Sequence, residues 1–207
     1  MQETSYLTVE KENHDEFEVK RSRFIGYAKP VKTIEEANAF ISEIKSANWD
    51  AKHNVYAYIL RDGQIKRYSD DGEPQGTAGI PVLDVLEKSN VTDCCVVVTR
   101  YFGGILLGGG GLVRAYSHSA SIALKAGNII EMKLYKRCKM SCDYTLYGRI
   151  PALIADFSGR VENTLFEENV SIEFLIPVDL IEGFEERLTD LSLGKGYVDI
   201  IGEEYGK

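Results

Sequence analysis

Apolar residues along the chain recur in two rhythms, and the most informative stretch contains both. Val96-Val97-Val98-Thr99 is a short continuous apolar run, the pattern of a strand buried on both faces. Arg100-Tyr101-Phe102-Gly103-Gly104 follows it, then the tetraglycine Gly108-Gly109-Gly110-Gly111, then a helical period opening at Leu112. At about 100° per residue, Val113, Tyr116, Ala120 and Leu124 share one side, the expected buried stripe. Arg114, His118, Ser121 and Lys125 share the other.

The remaining elements read in order. Tyr6–Glu10 and Glu16–Lys20 are short strands around a polar turn, Asn13-His14-Asp15, and residues 23–31 form a third extended run. Thr33 with Glu36 three residues on is a capping box, and Ala37, Phe40, Ile41 and Ile44 make the apolar face of the helix it opens. Val55–Leu60, Asp62-Gly63 and Gln64–Tyr68 give the strongest hairpin signal. A long stretch of turn-formers, residues 69–81, precedes a helix to about Lys88, with Pro81 in its first turn. Val91–Thr99 returns as strand.

After Gly127 the order changes. Met132–Tyr144 reads as strand and Leu146–Phe157 as helix, with Pro151 in its first turn or kinking it. Val161–Phe166 and Val170–Pro177 are strands, Asp179 and Glu182 cap a helix to about Leu191, and Tyr197–Ile201 is the last strand. Strand–helix–strand–strand–helix–strand is the ferredoxin-like arrangement. The fold class expected is α+β in two domains, residues 1–134 and 135–207.

Composition narrows the setting. A hydrophobic content of 44% suits a globular chain with a real core. No run of eighteen apolar residues suggests a membrane span, and residues 1–11 lack a secretory pattern, so a cytoplasmic protein without membrane association is expected. Cys94, Cys95, Cys138 and Cys142 read as buried reduced thiols; the last two lack the second pair or histidine that a zinc site requires. The net charge of −8 is uneven: residues 1–136 hold 17 Lys+Arg against 18 Asp+Glu, and residues 137–207 hold 7 against 14. Phosphate contacts therefore belong on the N-terminal part, around clusters such as Lys20-Arg21-Ser22-Arg23.

Two function classes follow from the candidate chemistry. Strand, glycine run and helix present unpaired amides to an anion, and Arg114 in the first turn is offset by one. No Gly-Lys-Ser/Thr follows the glycines, and Leu106 and Val113 break the dinucleotide spacing, so both nucleotide motifs fail. In the leading reading the protein is a non-enzymatic binding module. Arg23, Arg100, Arg114 and the amides of Gly108, Gly109, Gly110 and Gly111 contact RNA phosphates or an acidic partner, with Tyr68 and Tyr101 stacking on bases. The alternative is a metal-assisted enzyme, a hydrolase or phosphate-handling, on a small anionic substrate. Asp70, Asp71 and Glu73 then hold Mg²⁺ or serve with His53 as acid and base, and Arg100 and Arg114 clamp the anion. Ser117, His118 and Ser119 are adjacent and diverge around a helix, which argues against a nucleophile–base pair. The leading reading needs no cofactor.

Two motifs resemble the IMPACT/YigZ family: Tyr68-Ser69-Asp70-Asp71-Gly72-Glu73-Pro74-Gln75-Gly76-Thr77-Ala78-Gly79-Ile80-Pro81, and Val98-Thr99-Arg100-Tyr101-Phe102-Gly103-Gly104 leading to Leu107-Gly108. Arg23-Phe24-Ile25 and His53-Asn54 also fit. The resemblance spans essentially the whole chain. It implies an N-terminal domain like that of GHMP kinases and of a domain of ribosomal proteins and elongation factor G, and a ferredoxin-like C-terminal domain. It also implies a stress-linked role in translational control, as in eukaryotic members that bind a partner relaying amino-acid starvation. Those members carry a further N-terminal interaction domain that this sequence does not include. A ribosome, RNA or translation-associated protein is the partner class implied. The acidic C-terminal domain suits a basic protein such as a ribosomal protein.

Overall fold

The computed structural model describes residues 3–207, so the first two residues of the expected 1–134 domain lie outside the described part. Two compact units emerge: Leu7–Glu131, and Met132–Lys207 together with the segment ending at Tyr6. That segment belongs with the second unit because Leu134 N–H donates to Thr4 O at 2.8 Å and Tyr6 packs edge-on to Tyr205.

The first part of the chain runs β1 (Ser5–Val9), β2 (Asn13–Val19), β3 (Ser22–Pro30), α1 (Ile34–Ala47), β4 (His53–Leu60), β5 (Ile65–Ser69), α2 (Gly79–Lys88), β6 (Cys94–Tyr101) and α3 (Gly109–Gly127). An antiparallel sheet of order β2-β3-β6-β4-β5 forms its centre. Helix α1 covers one face, where Phe40, Ile41 and Ile44 meet Tyr58, Leu60, Cys95 and Val97. Helices α2 and α3 cover the other, where Leu86, Tyr116 and Ala120 join Val55, Ala57, Val96 and Val98 in one core. Burial on both faces is why β6 reads as a continuous apolar run, and strand alternation sends Cys94 and Cys95 into opposite cores.

Local signals act as their chemistry requires, with informative exceptions. Thr33 accepts from Glu36 N–H at 3.2 Å, while the Glu36 carboxylate reaches Lys32 N–H instead of the cap residue's own. Asn13-His14-Asp15 is not a turn: these residues pair with Ala28, Tyr27 and Gly26 as the start of β2. Their polar side chains are tolerated because β2 is an edge strand. Nor do β1 and β2 pair, since β1 joins the other sheet through β7 (Ile129–Cys142). Helix α3 opens at Gly109 rather than Leu112. Of the expected stripe Tyr116, Ala120 and Leu124 are buried and Val113 is exposed; Leu112, Ala115 and Ser119 complete the buried face.

The second unit continues β7 with α4 (Tyr144–Tyr147), α5 (Ile150–Asp156), β8 (Arg160–Phe166), β9 (Val170–Pro177), α6 (Ile181–Ser192) and β10 (Asp199–Gly206). The sheet places β7 between β9 and β10, with β8 beyond β9, which is the ferredoxin-like arrangement. Ile154, Phe174, Phe184 and Met140 lie in its core. The expected single helix from Leu146 is two short ones, with Pro151 in the first turn of the second. Asp179 does not cap α6, whose N-cap is Leu180, without a side-chain cap. Among the described residues no helix is long and apolar enough to cross a membrane.

Candidate functional site in the first unit

Strand β6 delivers Arg100 to the edge of the core with its side chain only 6% exposed. A buried guanidinium needs a counter-charge, and Glu73 supplies it: Arg100 Nη1 donates to Glu73 Oε1 at 2.7 Å. Tyr116, from α3, donates its hydroxyl to the same oxygen at 2.7 Å. Burial, and then the neighbouring carboxylate, raise the Tyr116 hydroxyl far above its ordinary range, so it stays a donor. The Arg100 guanidinium lies 5.4 Å from the ring centres of both Phe24 and Phe102. Its Nε is buried and has no hydrogen-bond partner.

The turn-rich stretch between β5 and α2 is held by its own carboxylates. Asp70 accepts from the amides of Gly76, Ala78 and Gly79 at 2.8–3.1 Å, which caps α2 from a distance. Asp71 pairs with Lys45 Nζ at 2.7 Å and accepts from Asn54 N–H at 2.6 Å. His53 Nδ1 lies 2.9 Å from Asp71 O. A carbonyl only accepts, so the neutral ring carries its proton on Nδ1 and leaves Nε2 as an acceptor. Nε2 stands 4.0 Å from Glu73 Oε1.

The expected Mg²⁺ ligands therefore do not fit a metal as they stand. Asp70, Asp71 and Glu73 point to three different sets of internal donors. Among the described residues no three metal-ligating side chains converge.

The glycine run faces outward. A Cβ on Gly108 or Gly110 would meet nothing within 4 Å. Gly108 takes a left-handed φ of 74° as the N-cap of α3 and offers no side-chain cap. Ladder bonding starts with Leu112 N–H to Gly108 O at 2.9 Å. The amides of Gly109, Gly110 and Gly111 thus precede the ladder.

Two pockets flank this helix start, each of about 360 Å³. One is lined by Lys52, His53, Glu73, Arg100, Phe102 and Leu106, and reaches Gly109. The other has Phe17, Val19, Leu107 and Ala115 as its apolar part and Lys20, Arg114 and His118 as its polar part, and reaches Gly111. Leu107 lines both.

The anion candidates thus separate. Arg114 is exposed, and neither it nor Arg21 has a carboxylate partner among the described residues. Arg100 is the opposite case: it is internal and already paired, because its strand carries it into the core. Arg23 is exposed but bonded to Glu16 across the β2–β3 pair at 2.5 Å. The Tyr101 hydroxyl lies 3.1 Å from Asn48 Oδ1 and 3.0 Å from Asp50 Oδ1, so it ties β6 to the end of α1.

Sequence reasoning missed Tyr116 as a polar partner, because it sits on an apolar stripe. The available signal was that a buried tyrosine needs an acceptor for its hydroxyl. Lys52 and Lys45 carried no local signal, since strand pairing and helix docking bring them to the loop.

Residues 20–124 match the Impact N-terminal domain, and residues 140–195 match a domain of unknown function, DUF1949. The chain is 41% identical over 192 residues to IMPACT family member YvyE of Bacillus subtilis, covering 92% of this chain and 88% of that protein. The chain belongs to the IMPACT family. Within the family, it is 35% identical to YigZ of Escherichia coli, over 86% of this chain and 88% of that protein. The IMPACT homolog of Dictyostelium discoideum is 32% identical over 126 residues, 58% of this chain and 35% of that protein. A solved structure titled as that of a hypothetical protein is 32% identical, with a TM-score of 0.62, covering 97% of this chain and 99% of that one.

Proposed function

We propose that this IMPACT family member is a non-enzymatic regulatory binding protein acting at translation, and that its first unit contacts the phosphates of single-stranded RNA. One observation carries the RNA part: two adjacent cations occupy a turn that ordinarily selects against them. Lys20 and Arg21 join β2 to β3 with φ of 45° and 63°. Left-handed φ at both central positions is the requirement of a type I′ hairpin turn, for which Asn-Gly is preferred. Left-handed backbone costs about 1–2 kcal/mol at ordinary residues. Lys20 shares its cleft with Arg114 and with Gly111 at the start of α3. Phe17 gives the cleft an aromatic face, and an aromatic face beside cations is the recognition mode of single strands. The link to translation comes from the resemblance to IMPACT proteins, and a regulatory or binding role fits the relatives found.

Fluorescence anisotropy with a labelled single-stranded oligoribonucleotide tests the reading. Binding is expected at low salt, and it weakens when Arg114 is changed to Ala. Absence of binding at low salt, or equal affinity of the Arg114→Ala variant, overturns it.

A further inference from the structure

The pocket on the other side of the α3 start has a different chemistry from the cationic cleft. Its donors and acceptors sit apart. Gly109 presents an unpaired first-turn amide at the positive end of a 19-residue helix, and Lys52 lines the same space without a carboxylate partner among the described residues. Arg100 also lines it, 5% exposed, with its Nε left without an acceptor. The orphaned Nε asks for an acceptor, and the bare helix start and Lys52 in the same pocket favour one that carries negative charge.

The acceptors are His53 and Glu73. In the neutral ring His53 Nε2 is a lone-pair acceptor, because Nδ1 then holds the proton it gives to the Asp71 carbonyl. Arg100 and Tyr116 both bond Oε1 of Glu73, which leaves Oε2 with acceptor capacity. The two groups are neighbours, with His53 Nε2 4.0 Å from Oε1 of the same carboxylate. Two acceptors facing each other without a proton between them are satisfied by a pair of neighbouring hydroxyls. Phe102 and Leu106 add apolar surface, 47% and 81% exposed, on which a flat ring can rest. A volume of about 360 Å³ suits a small ligand rather than a macromolecular segment.

We infer that this pocket binds a ribonucleotide, with the phosphate at Gly109 and Lys52, the ribose cis-diol donating to His53 Nε2 and Glu73, and the base against Phe102 and Leu106. Only a free mononucleotide carries a 5′-phosphate and both ribose hydroxyls together, because the 3′-oxygen of an RNA's 5′-terminal nucleotide is esterified. The cationic cleft is not used, so this inference and the RNA reading can fail separately.

Amide NMR titration of the full chain with adenosine 5′-monophosphate is the test. The Gly109 and Gly110 amides are expected to shift saturably. 2′,3′-Dideoxyadenosine 5′-monophosphate should bind at least tenfold more weakly, because it lacks both hydroxyls. Gly109→Pro removes one amide donor at a position where proline is favoured and no internal bond is lost; it should weaken the nucleotide by about tenfold. His53→Ala should narrow the difference between the ribo and dideoxy forms. A 5′-phosphorylated oligoribonucleotide, whose first 3′-oxygen is esterified, should bind more weakly than the mononucleotide; binding as tight as the mononucleotide's overturns the diol assignment. No saturable shift at Gly109 with the mononucleotide overturns the site. Equal affinity for ribo and dideoxy forms overturns the assignment of the diol to His53 and Glu73.

Discussion

Glu73 is the residue on which the polar interior of the first unit turns. It neutralises Arg100, accepts the hydrogen bond of the Tyr116 hydroxyl and faces His53. Removing one member of a buried pair strands the other charge, so Glu73→Ala should lower the unfolding free energy by roughly 3–5 kcal/mol, read by urea denaturation. Tyr116→Phe keeps the ring packed on Phe24 and loses only the hydroxyl bond. A bond to a charged group is worth about 1.5–3 kcal/mol, and the same urea experiment reads it. The thiols give a pH test. Burial pushes Cys94 up to about 12 from an ordinary value of 9.0. Between those values the folded state holds the proton that the unfolded state has released, so stability falls as pH rises from about 9 to 12. Below pH 9 the contribution is fully present. Cys94 should therefore ignore a thiol reagent at pH 8 in the folded protein and react once denaturant is added.

At the scale of elements, the sequence was most readable where chemistry is local. The cap and apolar face of α1 lie within one turn or two of each other, and all four expected core residues are buried. The β4–β5 hairpin likewise carries its own signal, with Gly63 at a left-handed φ of 68°. What stayed unreadable depends on distant partners. The α3 stripe is set by where β3 lies, since a Cβ on Gly26 would stand 2.4 Å from Ser119 O. Gly26→Ala should thus force strand and helix apart and lower the melting temperature, an overpacking effect of about 1–3 kcal/mol or more. The β2–β3 turn supports the opposite experiment. Replacing Lys20 and Arg21 with Asn and Gly supplies the residues a type I′ turn prefers. Stability should rise by about 1 kcal/mol while affinity for single-stranded RNA falls. A variant losing both stability and affinity would mean that the cations hold the turn rather than a ligand.

Across the whole molecule, the two-unit α+β plan was legible because strand and helix order alone points to the ferredoxin-like arrangement. The destination of β1 was not, since a strand's partner in another part of the chain leaves no local trace. Charge follows the same division: the acidic excess lies after residue 136, and the earlier part is nearly balanced. The proposed phosphate contact rests on local charge in the first unit: Lys20 and Arg114 line one cleft at the start of α3, and Arg21 follows Lys20 in the β2–β3 turn. The most direct measurement is the salt dependence of single-stranded RNA binding by the full chain, wild type against the variant with Lys20, Arg21 and Arg114 all changed to Ala. Each phosphate contact contributes about 0.7 to the slope of log affinity against log salt, so the slope should become shallower by about 2. An unchanged slope, or no binding by the wild type at about 50 mM salt, would contradict the account.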